Sequence, residues 1–261
     1  MRQNFFFRLV LIALIFLLGV SACSVKDPLT QSERAWLKKK GVLNIGVFDD
    51  YPPFGFVDNN GQPKGMSIDY WNLLARKLNL KVKFQPAVFD QQLKGLESGK
   101  FDSLAGIFPL PERQKNFDFT KSYYVINTNL FTSPGLGEVT SLKNLPPLPV
   151  GVVEGDSSQV LAQKARLKTE VFKSYLETVM ALANGKVKAI ILDEPVVAYY
   201  IKAKGLEGKI RKVPQPLSQG WMTLPVKGGN IILLNILNKG ISLISPQEWR
   251  EIEVKWAGAA K

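Results

Sequence analysis

An alternation of short apolar runs with amphipathic segments occurs twice along this 261-residue chain, and it is the feature that most constrains the fold. The first pass predicts strands at 42–47, 81–84 and 103–107 and helices at 66–78 and 91–97. The second pass predicts strands at 150–153, 170–172 and 187–192 and helices at 158–165, 176–183 and 196–204. Strands that alternate with helices form largely parallel sheets covered by those helices, so the sequence predicts an α/β fold.

Two repeated motifs indicate that the passes are similar halves. Ile45-Gly46-Val47 matches Val150-Gly151-Val152, and Leu96-x-x-Gly99 matches Leu182-x-x-Gly185. In the second motif, glycine ends a helix in the left-handed conformation, which it adopts at little cost. We therefore expect two lobes of related structure.

The expected lobes are joined by two crossovers, one at 123–132 and one at 213–218. Residues 41–130 and 218–261 are assigned to lobe 1, and residues 131–217 to lobe 2. The part of lobe 1 after the second crossover is predicted to contain a strand at 220–224 and helices at 231–243 and 247–256. This arrangement places the carboxyl ends of both sheets around one cleft, where ligands of α/β proteins bind.

Residues 1–22 are predicted to be a signal peptide. Arg2 and Arg8 flank a phenylalanine-rich start, and an almost wholly apolar run at 9–18 precedes small residues and Cys23. The run is shorter than the roughly 20 residues of a membrane-spanning helix, although an uncleaved anchor is the alternative.

The only cysteine of the chain lies at the end of Val20-Ser21-Ala22-Cys23, which resembles the bacterial lipobox. In a lipobox the cysteine becomes the first residue of the mature protein and is lipidated. The alternative is a cysteine that lies beside an ordinary cleavage site. Residues 23–40 are then a tether and a short helix, for which Thr30 and Glu33 have capping-box spacing. The protein is expected to work outside the cytoplasm, anchored to a membrane by lipid.

Composition excludes several kinds of site. The chain has no histidine and one cysteine, which excludes a Ser-His-Asp triad, a disulfide and a cysteine cluster for zinc. Removing Arg2 and Arg8 with the signal peptide lowers the formal charge from +12 to about +10. Only Lys38-Lys39-Lys40 are clustered, which favours a solvated face or attraction to anionic lipid over nucleic-acid binding. We expect no metal and no cofactor.

Three further segments occur in order along the mature chain. They are Ile45 to Phe54 with Gly61, Gly65 and Asp69-Tyr70-Trp71; then Asp102 to Gly106 with Pro111-Glu112-Arg113 and Phe117 to Tyr124; then Lys188 to Asp193. Over residues 42–257 they resemble the signatures of the family 3 extracellular solute-binding proteins. The resemblance implies the periplasmic-binding-protein type II fold, with two α/β lobes joined by two hinge crossovers and a ligand cleft between them. It also implies a monomer that delivers a small molecule to an ABC permease.

Arg113 and Asp193 are the principal predicted ligand-binding residues. Arg113 follows a predicted strand end, where a planar guanidinium can bind a carboxylate through two parallel hydrogen bonds. Asp193 ends an apolar strand and precedes Pro195. From the residues alone, a surface arginine and a helix-capping aspartate are the favoured interpretations. By resemblance, Arg113 binds the ligand α-carboxylate and Asp193, from the opposite lobe, binds its α-ammonium.

The other predicted site residues surround this pair. They are Phe48, Tyr51, Phe89, Gly106, Phe108, Leu110 and Ser157. Tyr51 and Phe89 match positions of aromatic walls in the family, whereas Phe54 is expected to pack underneath. Ser157 lies where a strand meets a helix and is placed either to receive a carboxylate or to cap the helix, a role that Ser158 fits equally.

Three positions depart from the family pattern. Phe48 replaces an aspartate that many amino-acid binders have, and Phe108 and Leu110 replace hydroxyl residues that often help to bind the carboxylate. The pocket is therefore expected to be apolar, which argues against a basic ligand because its distal charge would lack a partner. An aliphatic or aromatic amino acid is favoured, and a ligand that is not an α-amino acid stays open.

Three functions compete for such a fold. The first is capture of an amino acid or amino-acid-like solute for ABC-type import, without catalysis. The second is ligand sensing for a separate signalling partner, because residues 244–256 resemble the end of sensor input domains. The third is a cyclohexadienyl-dehydratase-like enzyme, in which Glu154, Asp193 or Glu194 is the general acid. We expect binding and not catalysis, because Asp193 is assigned to an ammonium.

Overall fold

A computed structural model of the protein describes residues 27–259. The predicted signal peptide at 1–22 and the predicted lipidation site Cys23 lie outside the described residues. Between residues 27 and 259, no helix is both long and apolar enough to cross a bilayer.

The first sheet is built around β1 (Val42–Phe48), a buried strand. Its other members are β5 (Lys81–Ala87), β6 (Ser103–Leu104), β7 (Phe117–Phe119) and β14 (Pro225–Lys227). The order across the sheet is β5-β1-β6-β14-β7, in which β1 is parallel to β5 and β6 while β14 is antiparallel to β6 and β7. The predicted third strand is shorter than expected, because the chain leaves the sheet after Leu104 and returns only as a single bridge between Ile107 and Thr223.

Helices cover this sheet, and each contains the residues that the sequence predicts to be helical. They are α1 (Gln31–Lys40), α2 (Met66–Leu78), α3 (Phe89–Ser98), α7 (Ile231–Leu243) and α8 (Pro246–Ala259). The capping box of α1 is confirmed, since Thr30 and Glu33 exchange side-chain hydrogen bonds with each other's backbone N–H groups. A small sheet of β2 (Asp50–Tyr51), β3 (Gly55–Val57) and β4 (Pro63–Lys64) holds the segment after β1.

The second sheet has the same βαβ construction. Its strands are β8 (Tyr124–Thr132), β9 (Val150–Val153), β10 (Thr169–Phe172), β11 (Ala189–Asp193), β12 (Arg211–Lys212) and β13 (Ser218–Met222), and its helices are α4 (Ser157–Lys164), α5 (Tyr175–Ala183) and α6 (Glu194–Ala203). The order is β10-β9-β11-β8-β12, with β13 also paired to β8. The predicted α/β fold with two similar halves is therefore confirmed.

The two crossovers form an antiparallel ribbon that extends the second sheet. Tyr124–Thr128 of β8 pairs with β13, and Thr128–Thr132 pairs with β11. The sequence placed residues 124–130 and 218–222 in lobe 1, whereas their strands are hydrogen-bonded within the second sheet. Pairing satisfies the backbone groups of both crossovers, and apolar periodicity alone does not identify the partner of a strand.

The main apolar core runs through both lobes. In β11, successive side chains point to opposite faces of the sheet, so Ile190 and Leu192 join the main core while Ala189 and Ile191 join a smaller cluster behind the second sheet. The lobes also touch directly, because the rings of Tyr51 and Tyr175 lie 4.8 Å apart between centroids. The cleft is therefore closed.

Candidate functional site

Arg113 lies in the turn between β6 and β7, and its guanidinium is buried in the cleft. The side chain is 7% exposed. Nη1 donates to the Phe108 carbonyl at 3.1 Å, Nη2 donates across the cleft to the Gly155 carbonyl at 3.3 Å, and Cζ lies 5.0 Å from the centroid of the Phe89 ring. Burial lowers the pKa of Arg113 but an arginine stays protonated. Interpreting it as a surface arginine is wrong.

Asp193 is the last residue of β11, in lobe 2. It is 2% exposed and accepts hydrogen bonds of 2.6 Å from the Tyr51 hydroxyl of lobe 1 and from the Thr128 hydroxyl. Although the residue is at the N-cap position of α6, its side chain makes no capping hydrogen bond. The carboxylate therefore does not close the helix but joins the two lobes through Tyr51.

Asp156 is a second buried carboxylate of this site. It is the N-cap of α4, where it accepts a 2.9 Å hydrogen bond from the Ser158 backbone N–H, and it accepts another of 3.0 Å from the Tyr175 hydroxyl. The prediction that Ser157 or Ser158 caps the helix is wrong, because the cap is Asp156, which accepts from the Ser158 N–H. Asp156 lines the same cavity as Arg113, and it is near enough to Asp193 to influence the ionisation of that carboxyl.

These groups and a set of aromatic rings enclose a small cavity between the lobes. Its lining is Phe48, Tyr51, Phe89, Gly106, Ile107, Phe108, Arg113, Asp156, Tyr175 and Met222. The cavity volume is about 10 Å³, roughly the room that one water molecule needs. An amino acid can enter only if the lobes separate or the rings move.

The rings pack on one another in this closed cleft. Phe48 stacks on Phe89 with centroids 5.4 Å apart and meets Tyr51 edge-on at 5.3 Å. Phe54 lies 5.1 Å from Tyr51 and is 2% exposed, as expected for a residue that packs underneath. The cavity is therefore lined largely by aromatic rings, which suit an apolar or cationic ligand group.

A further contact joins the lobes beside the cavity. The Asp50 carboxylate of lobe 1 accepts a hydrogen bond from the Tyr200 hydroxyl and one of 3.2 Å from the Leu176 backbone N–H at the start of α5. A carboxylate at a helix N-terminus is stabilised by the helix dipole. Asp50 thus adds to the contacts that Tyr51 and Arg113 make across the cleft.

The structure brings most of the predicted site residues together. Phe48, Tyr51, Phe89, Gly106, Phe108 and Arg113 line the cavity, and Asp193 adjoins it through Tyr51. Gly106 is required there, since a Cβ would lie 2.4 Å from the Tyr123 hydroxyl. Leu110 and Ser157 lie outside, in a separate groove with Trp221.

Two residues that line the cavity with polar side chains, Asp156 and Tyr175, are absent from the predicted site. Asp156 directly precedes the predicted Ser157, and its position at a strand–helix junction was the available indication. Nothing in the sequence pattern indicated Tyr175, because its role depends on contact with Asp156 and Tyr51 in the folded chain. In residues 27–259, no cluster of three or more acidic, histidine or cysteine side chains forms a metal site.

Residues 43–259 match the family model of the bacterial extracellular solute-binding proteins, family 3. The chain belongs to this family. The match covers both lobes and nearly all of the described residues, which confirms the resemblance found in the sequence motifs.

Curated relatives of this solute-binding protein include two from Escherichia coli strain K12. A glutamate/aspartate import solute-binding protein is 28% identical over 202 residues, which covers 72% of this chain and 67% of the relative. An ABC transporter arginine-binding protein is 26% identical over 220 residues, which covers 82% and 90% of the two chains.

Solved structures confirm the periplasmic-binding-protein type II fold. An ancestral arginine-binding protein bound to glutamine is 32% identical with a TM-score of 0.76, over 84% of this chain and 98% of that one. An ancestral amino-acid-binding protein, a precursor of cyclohexadienyl dehydratase, is 28% identical with a TM-score of 0.75, over 85% and 98%. A histidine kinase sensor domain is 21% identical with a TM-score of 0.78, over 84% and 96%, and shares the fold.

The titration of Asp193 predicts how the stability of this solute-binding protein depends on pH. Burial, together with the neighbouring Asp156, raises the pKa of the Asp193 carboxyl from 3.8 to about 7. Between those values the folded chain binds more protons than the unfolded chain, so folding is favoured as the pH falls. We expect the melting temperature of the unliganded protein to rise from about pH 8 to about pH 5.

Calorimetry at a series of pH values measures this dependence. Asp27 and Glu248, whose pKa values are lowered to about 2 by ion pairs with Arg34 and Lys77, destabilise the fold only at lower pH, as they become protonated. A melting temperature that falls steadily between about pH 8 and about pH 5 contradicts the raised pKa of Asp193.

Proposed function

We propose that this solute-binding protein is a lipid-anchored extracytoplasmic receptor that captures an amino acid or amino-acid-like small molecule for ABC-type import. The ligand binds in the cleft between the lobes of a monomer, and neither a cofactor nor a catalytic step takes part. The import function is supported by the names of the two Escherichia coli relatives.

The observation that carries the proposal is the burial of opposite charges in the two lobes, with Arg113 lining the cavity and Asp193 beside it. Arg113 donates only to backbone carbonyls, and none of the carboxylates between residues 27 and 259 forms an ion pair with it. Each Asp193 oxygen accepts one hydroxyl and retains capacity for a further donor. A carboxylate on Arg113 and an ammonium on Asp193 compensate both buried charges.

Such a ligand bridges the two lobes and stabilises a cleft closed around it, in which the aromatic rings have moved to make room. We place the hinge in the ribbon of β8 and β13, the crossover strands between the sheets. The contacts of Asp50 with Tyr200 and Leu176 add to the same closed arrangement. Opening about the hinge admits the ligand, and closure excludes water from the charged groups.

The aromatic walls favour a ligand with an apolar side chain. Phe48, Phe89 and Phe108 line the cavity, and the aspartate that would pair with a distal cation is absent at position 48. Asp156 supplies a carboxylate from the other lobe that the sequence argument did not include. Basic amino acids therefore belong in any test of specificity.

A thermal-shift screen of the unliganded protein against amino acids and their derivatives tests the proposal. We expect aliphatic or aromatic amino acids to raise the melting temperature, because a ligand that binds only the folded state stabilises it by about 2.7 kcal/mol at a hundred times its Kd. A larger effect of basic amino acids would overturn the apolar specificity. Turnover of prephenate or arogenate would replace binding by catalysis.

The transport role is tested by the partner of the lipidated protein. Capture from solubilised membranes is expected to recover an ABC permease, and recovery of a sensor kinase instead would assign the protein to signalling. The lipid anchor is tested separately by the mass of the N-terminal peptide, which is expected to begin at Cys23 and to be lipidated.

A further inference from the structure

An unpartnered apolar face lies along α7. Ile232 and Leu243 are eleven residues apart, about three helical turns, and therefore lie on the same side of the helix. They are 42% and 38% exposed, and the adjacent Ile231 is 51% exposed. These three are among the nine large apolar side chains that are exposed in residues 27–259, which concentrates exposed apolar surface on one helix.

The same face adjoins the point where the described chain begins. Ile232 and Leu243 border a groove whose opposite wall includes Pro28 and Thr30. The chain is fixed there: Leu29 is buried, and the Asp27 carboxylate accepts a 2.9 Å hydrogen bond from the Leu29 backbone N–H and two of 2.6 Å from Arg34. The start of the described chain therefore has a defined place on the surface of lobe 1.

The proposed lipid anchor at Cys23 is only four residues before Asp27. At roughly 3.3–3.6 Å per residue, a fully extended tether reaches about 14 Å. A body of this size has a radius of gyration of about 17 Å, so its diameter exceeds the reach of the tether. Only the surface around Asp27 can approach the bilayer that holds the lipid.

We propose that the exposed face of α7, with Ile231, Ile232 and Leu243, lies against the phospholipid surface of the anchoring membrane. This inference rests on the lipid anchor of the proposed function. It places lobe 1 at the bilayer and leaves lobe 2 free to rotate about the hinge.

Lysines beside α7 suit an anionic phospholipid surface. Lys121 donates its backbone N–H to Asn238 of α7 at 2.8 Å, and its side chain is exposed. Lys227 is exposed four residues before the helix begins. Basic residues near a bilayer are attracted to anionic headgroups, and the protein as a whole is basic.

The orientation is tested with the full-length lipidated protein in vesicles of equal parts phosphatidylcholine and phosphatidylglycerol. Lipidation leaves no free thiol, so Ile232→Cys, Leu243→Cys and Val171→Cys each introduce a single site for a fluorophore. Val171 is the matched control, an apolar side chain 45% exposed on lobe 2. Asn235→Cys, at an exposed polar position between the two helix sites, provides a second readout should Ile232→Cys fail to fold.

Nitroxide groups on the lipid headgroups quench fluorophores at the bilayer surface. We expect quenching at positions 232, 235 and 243 to be several times stronger than at 171, and stronger than in vesicles of phosphatidylcholine alone. Equal quenching at all positions, or stronger quenching at 171, would overturn the orientation while the protein remains a lipidated binding protein. A chain that carries no lipid would overturn both the anchor and the orientation, and ligand binding in solution would still test the cleft.

Discussion

Arg113→Ala is expected to weaken ligand binding by about 2 to 5 kcal/mol, roughly thirtyfold to a few thousandfold in Kd. The guanidinium is 7% exposed and has only two backbone carbonyls as acceptors. Truncation removes the proposed partner of the ligand carboxylate and leaves that carboxylate buried without a compensating charge. Isothermal titration calorimetry with the ligand from the thermal-shift screen measures the loss.

Two control variants separate this effect from a general loss of charge or of folding. Arg113→Lys keeps the positive charge but cannot form two parallel hydrogen bonds, so binding is expected to fall between the wild type and Arg113→Ala. Arg76→Ala removes an exposed arginine from α2 in the same lobe and is expected to bind normally. If Arg113→Ala binds as tightly as Arg76→Ala, the ligand carboxylate is not at this guanidinium.

The helices and most strands were predictable because their determinants are local. Apolar periodicity gave the bounds of α2, α7 and β9 without error, and the capping box gave the start of α1. The pairing of the strands was harder to predict from the sequence. The crossover strands β8 and β13 carry the same apolar pattern whichever sheet they join, so their place in the second sheet follows only from pairing over a long sequence distance.

The site was predictable where its ligand-binding residues lie at or after the carboxyl ends of strands. Arg113 and Asp193 received their ligand roles from the family resemblance of their segments, and each also follows or ends an apolar run at the expected edge of a sheet. Side-chain direction was not predictable in the loop at Leu110 or at the first residue of α4, Ser157, which explains why both lie in a separate groove. Asp156 caps α4, and its position in the sequence explains that local role. That it also lines the cavity could not be predicted from this position.

Asp193→Asn is expected to weaken binding by a similar 2 to 5 kcal/mol, about the loss for one partner of a buried charge pair. The substitution preserves the shape of the side chain but removes the negative charge that compensates the ligand ammonium. It is expected to have the opposite effect on the unliganded protein. Because burial and Asp156 raise the pKa of Asp193 to about 7, its ionised form destabilises the folded state at alkaline pH, and asparagine removes that destabilisation.

The two effects are measured on the same variant at about pH 8, by titration calorimetry for the ligand and by melting temperature without it. We expect a higher melting temperature together with weaker binding, which is the trade-off of a charged group kept for function. Wild-type affinity is expected to fall as the pH drops below about 7, because the Asp193 carboxylate must be ionised to bind an ammonium, and the affinity of the variant is expected to lose this dependence. A variant that melts lower and binds normally would show that Asp193 stabilises the closed lobes through Tyr51 and Thr128 and does not contact the ligand.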